Sequence, residues 1–414
     1  MSVSLYDPRL QLRPAPTTVT GPPLRICIVA SASLPIPPFD GYGGTQRGIH
    51  DLIEVLRRRG HHVTLCGPGD SLTEVDERIA PIPRSLWSHD SPYPLAERER
   101  LAAVHVREVA KALAERSFDL INVRYDHYGL LEELVRQDRA PIVYSLHNVA
   151  NQKTIPIVRD FGSRVVVTAH CDSHRAQYED ADDIRVVFYG MDVKAYPFGA
   201  APLAATHEVP TLPLLRRLQA EGRDYLVSLG RVAPEKGQRS AIEVARRAGV
   251  PLLVVGEPFA REPGGDAYFR DHVLPQVDGR TIFYYGSANE VEKRELLRFA
   301  RGLLFTTGME RPEWREPFGR VFMEALATGT PLIAHAHGSA LDVVVPEVGF
   351  LCGSVDEMAL AARRVHLIDR RACRRYARLA LSRERMARDY ESLFREVIMQ
   401  RNGARSGQLV AAAG

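Results

Sequence analysis

Short, mostly apolar runs alternate with longer amphipathic stretches through this chain, and the alternation stops in its middle before it begins again. The runs at 25–30 (RICIVA), 62–67, 119–124 (DLINVR), 141–147 (PIVYSLH), 164–169 (RVVVTA) and 184–189 (IRVVFY) have the pattern of strands buried on both faces. Apolar residues at helical spacing mark the stretches at 45–59, 95–116 and 128–136. Strands and helices in this alternation build a parallel sheet with helices on both faces, which binds ligands beyond the carboxyl ends of its strands. After Pro- and Ala-rich text between 196 and 214 the pattern restarts, with runs at 225–230 (YLVSLG), 251–256, 281–285, 303–306 and 331–334 and helices at 238–248, 290–300 and 319–328.

A chain of 414 residues exceeds what one core supports, so each block of alternation reads as its own domain. The expected fold class is α/β, with two doubly wound Rossmann-like domains. A disordered extension is expected at 1–24, a first domain at 25–200, a linker at 201–222 and a second domain at 223–375. A C-terminal helix follows at 376–401, its packing back on the first domain left open, and then a disordered tail at 402–414. The Arg-rich text beyond 355 reads as a solvated helix face. A formal charge of +3, spread along the chain, gives no reason to expect nucleic acid as a partner. Cys27, Cys66, Cys171, Cys352 and Cys373 lack metal or redox spacing and read as reduced. The first residues lack a signal-peptide core, and no run reaches the roughly 18 apolar residues of a membrane span. A cytoplasmic protein is expected, with peripheral membrane contact left open.

Chemistry concentrates at 315–331, REPFGRVFMEALATGTP. Pro317 and Gly319 interrupt regular structure, and a helix follows with Val321, Phe322, Ala325 and Leu326 on one face and Arg320, Glu324 and Thr328 on the other. Gly329 and Pro331 end it. Glu316 on the approach loop and Glu324 inside the helix lie near a helix N-terminus whose free N–H groups favour an anion, a combination that suits a nucleotide sugar. Read alone, Arg320 and Glu324 are equally an exposed ion pair four residues apart.

A second cluster, GRVAPEKG at 230–237, stands at the carboxyl end of the first strand of the second block. The fork of Arg231 and the point charge of Lys236 together suit two phosphates. In the first block, Gly41, Gly43 and Gly44 follow a proline-rich loop and open a helix without G-x-G-x-x-G spacing. On spacing alone such a turn is equally a flexible loop or one that brings backbone N–H groups close to a phosphate or sugar. His147 and Asn148 lie at the carboxyl end of a strand, a position that fits a structural or a functional histidine.

Taken together, these residues resemble the retaining glycosyltransferases of family 4, with the GT-B fold of two Rossmann-like domains. The resemblance rests on Glu316 and Glu324 inside EPFGRVFMEALATGTP, the 230–237 segment, the Gly43-Gly44 loop and Tyr189-Gly190-Met191-Asp192. It implies transfer of a sugar from a nucleotide-diphosphate donor, a UDP-sugar favoured, to an acceptor hydroxyl with retention. The donor half then falls in the second domain and the acceptor in the first. By the same resemblance His147 and Glu316 are catalytic and face the transferred sugar, Glu324 binds the ribose hydroxyls, and Arg231 and Lys236 hold the diphosphate. The backbone at Phe318, Gly319 and Val321 touches sugar and phosphates, and Gly43 and Gly44 lie near donor phosphates and acceptor. No cofactor beyond the nucleotide-sugar co-substrate is expected, and no metal, since no Cys, His and carboxylate cluster has ligand spacing.

Two other functions fit the same motifs: a nucleotide-sugar epimerase of this fold and a non-catalytic nucleotide-sugar-binding partner of another transferase. The chain departs from the family's pattern in a longer approach at 307–315 (TGMERPEWR), in His335 and His337 where small or hydroxyl residues are commoner, and in a shortened region after Gly338. These departures leave the donor sugar open, and no motif reads the acceptor.

Overall fold

The computed structural model describes residues 21–38, 43–88, 91–179, 181–199, 214, 217–218, 220–222, 224–258 and 266–413. The expectation for most of 1–24, most of the linker reading at 201–222, and Gly41 lie outside the described residues. The described residues form two compact units: one runs up to Met191 and includes the segment from Arg383 onward, and the other is Asp192–Ser382.

The first unit is built on seven parallel strands, β1 (Arg25–Ala30), β2 (His62–Cys66), β3 (Glu77–Ile79), β4 (Leu120–Arg124), β5 (Ile142–Ser145), β6 (Val166–Ala169) and β7 (Arg185–Val186). Their spatial order is β3-β2-β1-β4-β5-β6-β7. β1 is flanked by a strand on each edge, with Ala30 opposite Arg124 on one side and Val29 opposite Cys66 on the other, and its apolar residues from Ile26 to Ala30 are all buried. Helices α1 (Gly44–Arg58), α2 (Leu95–Ala114), α3 (Tyr128–Gln137), α4 (Thr154–Phe161) and the short α5 (Asp172–Arg175) connect the strands. Sequence periodicity misses β3, a three-residue edge strand, and α4, whose Pro156 looks like a breaker. That proline sits in the first turn, where no N–H is required of it. The apolar run at 184–189 pairs only over Arg185 and Val186, because β6 ends opposite them.

In the second unit six parallel strands, β8 (Leu226–Leu229), β9 (Leu252–Val255), β10 (Ile282–Gly286), β11 (Gly302–Phe305), β12 (Leu332–His335) and β13 (Gly349–Cys352), lie in the order β10-β9-β8-β11-β12-β13. Helices α6 (Gln238–Ala248), α7 (Glu290–Phe299), α8 (Arg320–Ala327), α9 (Ala340–Val343), α10 (Val355–Arg364) and α11 (Arg370–Ala380) accompany them. A capping box between Asn289 and Glu292 starts α7, and the Ser354 side chain accepts from the Glu357 N–H to start α10.

The C-terminal region differs from expectation. Two helices stand where one was expected, α11 in the second unit and α12 (Arg383–Ala413) in the first, with the break at Leu381 and Ser382. Where a disordered tail was expected from 402, α12 continues to Ala413, ending in three alanines, the strongest helix former. Nor is the Arg-rich text a solvated face alone. Met386, Ala387, Tyr390, Phe394 and Val397 form a buried stripe along α12. Arg385 donates to the Tyr189 carbonyl at 3.0 Å, and Arg59 pairs with Glu391 at 2.6 Å.

Each strand order reverses once, between β1 and β4 and between β8 and β11. The carboxyl ends of the strands at such a reversal are the place where doubly wound folds in general bind ligands.

Candidate active site

In the second unit the chain leaves β8 into GRVAPEKG and is pinned immediately. The Gln238 side chain donates to the Arg231 carbonyl at 2.8 Å and accepts from the Ala233 N–H at 3.2 Å. A 3-10 turn over Pro234–Lys236 ends at Gly237, whose φ of 72° lies in the left-handed region. A Cβ there would stand 2.5 Å from the Thr306 carbonyl oxygen, so only glycine fits the position. Thr306, just past β11, returns the contact by donating to the Gly237 carbonyl at 2.8 Å. The two loops that flank the reversal are thereby tied together.

Across that tie the Lys236 ammonium bonds Oε2 of Glu316, both side chains being mostly buried. The Arg231 guanidinium pairs with Glu235 Oε1 at 3.3 Å. Each of the two cations expected at a diphosphate thus meets a carboxylate. Glu235 was not singled out from the sequence, although it stands inside the motif. Ser339 holds the approach to α8 by donating to the Phe318 carbonyl at 2.8 Å through its hydroxyl and to the Glu316 carbonyl at 3.2 Å through its N–H. Phe318 is buried, Val321 is half-buried, and Gly319 has a φ of 80° at the start of α8.

Glu324 is 3% exposed, so the Arg320 pair at 3.4 Å is buried, not the exposed pair the sequence also allowed. Lys293 Nζ on α7 stands 2.8 Å from Glu324 Oε1, and the Tyr196 hydroxyl donates to the same oxygen at 3.1 Å. Burial by itself would raise the carboxyl's pKa, but Lys293, Arg320 and the hydrogen bonds outweigh it and hold the group below the usual carboxylate range. Lys293 and Tyr196 carry no motif and were invisible before the fold brought them here.

The departures in 307–315 have local anchors. Glu310 accepts from the Ser240 N–H at 3.0 Å and from the Tyr268 hydroxyl at 3.0 Å. His335 Nδ1 bonds the Thr307 carbonyl at 3.1 Å, and His337 Nε2 bonds the Trp314 carbonyl at 3.2 Å. The two imidazoles stack, and a Cβ at Gly308 would run into His337. Both histidines therefore hold the longer approach segment against β12.

His147, Gly43 and Gly44 lie in the first unit. Gly43, with a φ of 124°, precedes α1, and the Gly44 carbonyl accepts from the Tyr189 hydroxyl at 2.6 Å. Tyr189 packs edge-on against His170, whose Nε2 is 3.0 Å from His147 Nδ1. Arg124 Nη1 stands 3.3 Å from His147 Nε2. A guanidinium can only donate, so Nε2 accepts, and a neutral His147 then carries its proton on Nδ1 and donates it to His170. Burial first, then the charge of Arg124, holds the His147 pKa well below the ordinary imidazole range, which fits that tautomer.

Among the described residues no group of three or more His, Cys, Asp or Glu is placed to hold a metal ion, and no helix is long and apolar enough to cross a membrane. The sequence does contain an Asp-x-Asp triplet, Asp180-Ala181-Asp182, in the first unit. Asp182 is exposed there, and Asp180 lies outside the described residues.

Residues 42–195 match the family described as Glycosyltransferase Family 4, and residues 216–380 match Glycosyl transferases group 1. The chain belongs to the family 4 type of glycosyltransferases. The two matches follow the two units and together include Gly43, Gly44, His147, Arg231, Lys236, Glu316 and Glu324. Among curated relatives of this glycosyltransferase, a putative glycosyltransferase YtcC of Bacillus subtilis is 25% identical over 292 residues, 63% of this chain and 66% of that protein. The phosphatidyl-myo-inositol mannosyltransferase of Mycolicibacterium smegmatis is 26% identical over 317 residues, 72% of this chain and 73% of the other. The chain thus spans about two thirds of the first relative's length. Anabaena HepE, solved in complex with UDP and glucose, superposes with a TM-score of 0.65 at 17% identity, covering 89% of this chain and 99% of HepE. The GT-B fold of the glycosyltransferase is shared with it.

Proposed function

We propose that this glycosyltransferase moves a sugar from a nucleotide-diphosphate donor, a UDP-sugar favoured, to an acceptor hydroxyl, with retention at the anomeric carbon and without a metal. The second unit holds the donor and the first holds the acceptor. The observation that carries the reading is the pair of cation–carboxylate contacts at the β8/β11 reversal, Lys236 with Glu316 and Arg231 with Glu235. A diphosphate arriving there takes the two cations from their carboxylates, so the charge of the leaving group is met by groups already in place. Glu316, released from Lys236, then accepts from a sugar hydroxyl and orients the donor. The start of α8 adds backbone N–H groups to the same anion. The three partners of Glu324 converge on Oε1, an arrangement that suits Oε2 as acceptor for a ribose hydroxyl. A uridine base is favoured by the UDP bound to HepE, which shares the fold.

Retention follows if the leaving phosphate helps remove the acceptor proton on the face it departs from, with Glu316 positioning and forming no covalent bond. Proton NMR of the product, run with and without a chelator, tests the reading through the anomeric coupling. The expected product keeps the donor's anomeric configuration at an unchanged rate in chelator. An inverted product, or activity lost in chelator and restored by magnesium, overturns it.

A further inference from the structure

Arg124 ends β4 at the reversal point of the first sheet, opposite Ala30, the last residue of β1. The residue is 3% exposed and its guanidinium carries a full charge, yet among the described residues no carboxylate pairs with it. Nε donates to Asn122 Oδ1 at 2.8 Å, Nη1 to His147 Nε2 at 3.3 Å, and the group lies 4.6 Å over the Tyr390 ring. Nη2 is buried with no hydrogen-bond partner. Asp126, the acid nearest in sequence, is engaged by the Tyr144 hydroxyl and the Asn148 amide, each at 2.6 Å.

Two half-buried arginines of the second unit rest on neutral oxygens. Arg370 donates to the Ala300 carbonyl at 2.8 Å and, through Nη2, to the Thr330 hydroxyl at 3.0 Å, and Arg374 donates to the Tyr196 carbonyl at 2.9 Å. Arg124 receives one amide oxygen, one imidazole lone pair and a ring face, and its buried Nη2 is left without an acceptor. A buried charge left uncompensated is costly to a fold, and a free N–H on it adds to that cost. The charge stands at the carboxyl end of β4 at the strand-order reversal, the position at which doubly wound sheets in general take their ligands, near the half-buried His147 and its neighbour in sequence, the exposed Asn148.

We propose that Arg124 is the receptor for an anionic group of the acceptor, a phosphate monoester or a carboxylate, which bonds Nη2 in the first unit. The word acceptor rests on the transferase reading above; the anion site does not. A guanidinium matches either group through its fork, and Nη1 and Nη2 reach both oxygens if the anion displaces His147 from Nη1. The site therefore couples anion binding to His147, whose hydrogen bond to Arg124 is given up.

The full chain with 15N-labelled histidines is titrated with inorganic phosphate, with acetate and with chloride at matched ionic strength, and the His147 and His170 imidazole resonances are followed. The expected result is a saturable shift with phosphate or acetate and none with chloride. Saturation by phosphate assigns the monoester, and saturation by acetate alone assigns the carboxylate. Arg124→Gln is expected to weaken the apparent affinity by roughly tenfold or more. Should that variant fail to fold, Arg124→Lys keeps a charge without the fork and is expected to weaken binding in the same titration. Shifts that follow ionic strength alone, or that are equal with and without Arg124, overturn the proposal. Donor hydrolysis measured on the same samples separates the two readings: hydrolysis without an Arg124-dependent shift removes the anion site only, and a shift without hydrolysis or transfer removes the transferase reading only.

Discussion

Lys293 holds Glu324 by a 2.8 Å contact between α7 and α8 while also reaching Glu290 at 2.7 Å, so one ammonium group fixes the carboxylate in the interior of the second unit. The motif that makes Glu324 recognisable in sequence thus depends on a lysine that no motif marks.

Replacing Lys293 by Met leaves Glu324 buried with a weaker set of partners. Breaking a buried pair from one side typically costs about 3–5 kcal/mol, and a loss toward the lower end is expected because Arg320 and Tyr196 remain. Urea unfolding at neutral pH measures it. Since the folded-state pKa of Glu324 is depressed, its contribution is present above the unfolded-state value and is lost as pH falls through the folded one. Glu324→Gln in the Lys293→Met background should recover part of the loss. A single-variant loss under about 0.5 kcal/mol, the range of an ordinary surface substitution, would sink the idea.

Arg231→Ala and Lys236→Ala should each weaken nucleoside-diphosphate binding by tenfold to a hundredfold, as hydrogen bonds to charged groups contribute about 1.5–3 kcal/mol. The carboxylates paired with them should act in the opposite sense. Glu235→Gln removes the anion that competes for Arg231, and partly exposed pairs of this kind are worth about 0.2–1 kcal/mol. Binding should tighten by up to roughly fivefold. Calorimetric titration with a nucleoside diphosphate decides, and weaker binding in Glu235→Gln would show that Glu235 supports the site.

Gly237→Ala tests the tie between the two loops. The substitution puts a Cβ at a φ of 72° and within 2.5 Å of the Thr306 carbonyl oxygen. The left-handed conformation alone costs about 1–2 kcal/mol for a non-glycine residue, and relief of the clash must move β11 or the 3-10 turn. A loss of at least about 2 kcal/mol is expected, together with weaker diphosphate binding as Lys236 shifts. Unaltered melting and binding would mean that the loops are not coupled through this contact.

Sequence periodicity carries the architecture because short runs such as RICIVA and LLVV are mostly apolar on both faces and, at four to six residues, have the length of interior strands and not of helices. It fails where length or punctuation misleads, as at β3 and at Pro156 in α4. The motif residues Arg231, Lys236 and Glu316 were legible because phosphate and sugar chemistry needs those groups near a helix start. Their neutralising partners were not. Lys293 stands 31 residues from Glu324, and Tyr196 stands 128 away, so only tertiary folding defines those contacts. Arg124 sits inside DLINVR and reads as the polar end of a strand; nothing local says that its charge has no counterpart.

The last expectation concerns the histidines around Arg124. His147 and His170 both have pKa values well below the ordinary imidazole range, through burial first and then, for His147, the charge of Arg124 and, for His170, the cost of a second proton beside His147 or His174, with Arg124 adding to it. In the unfolded chain each takes up a proton near pH 6.5, whereas in the folded unit it stays neutral. The unfolded state therefore binds more protons below that value, so the stability contribution is complete above about pH 6.5 and is lost as pH falls toward the folded-state values. Each group steepens the loss by about 1.4 kcal/mol per pH unit within that window. His61, His105 and His127 are shifted in the same direction by burial and set a background slope, so the comparison must be made against a variant. Unfolding free energies at pH 7.5, 6.5 and 5.5 should fall less steeply in His147→Gln than in the parent, by roughly the slope of one group. Equal slopes would mean that His147 is charged in the folded protein, and the chain of neutral imidazoles from Arg124 through His147 to His170 would have to be abandoned.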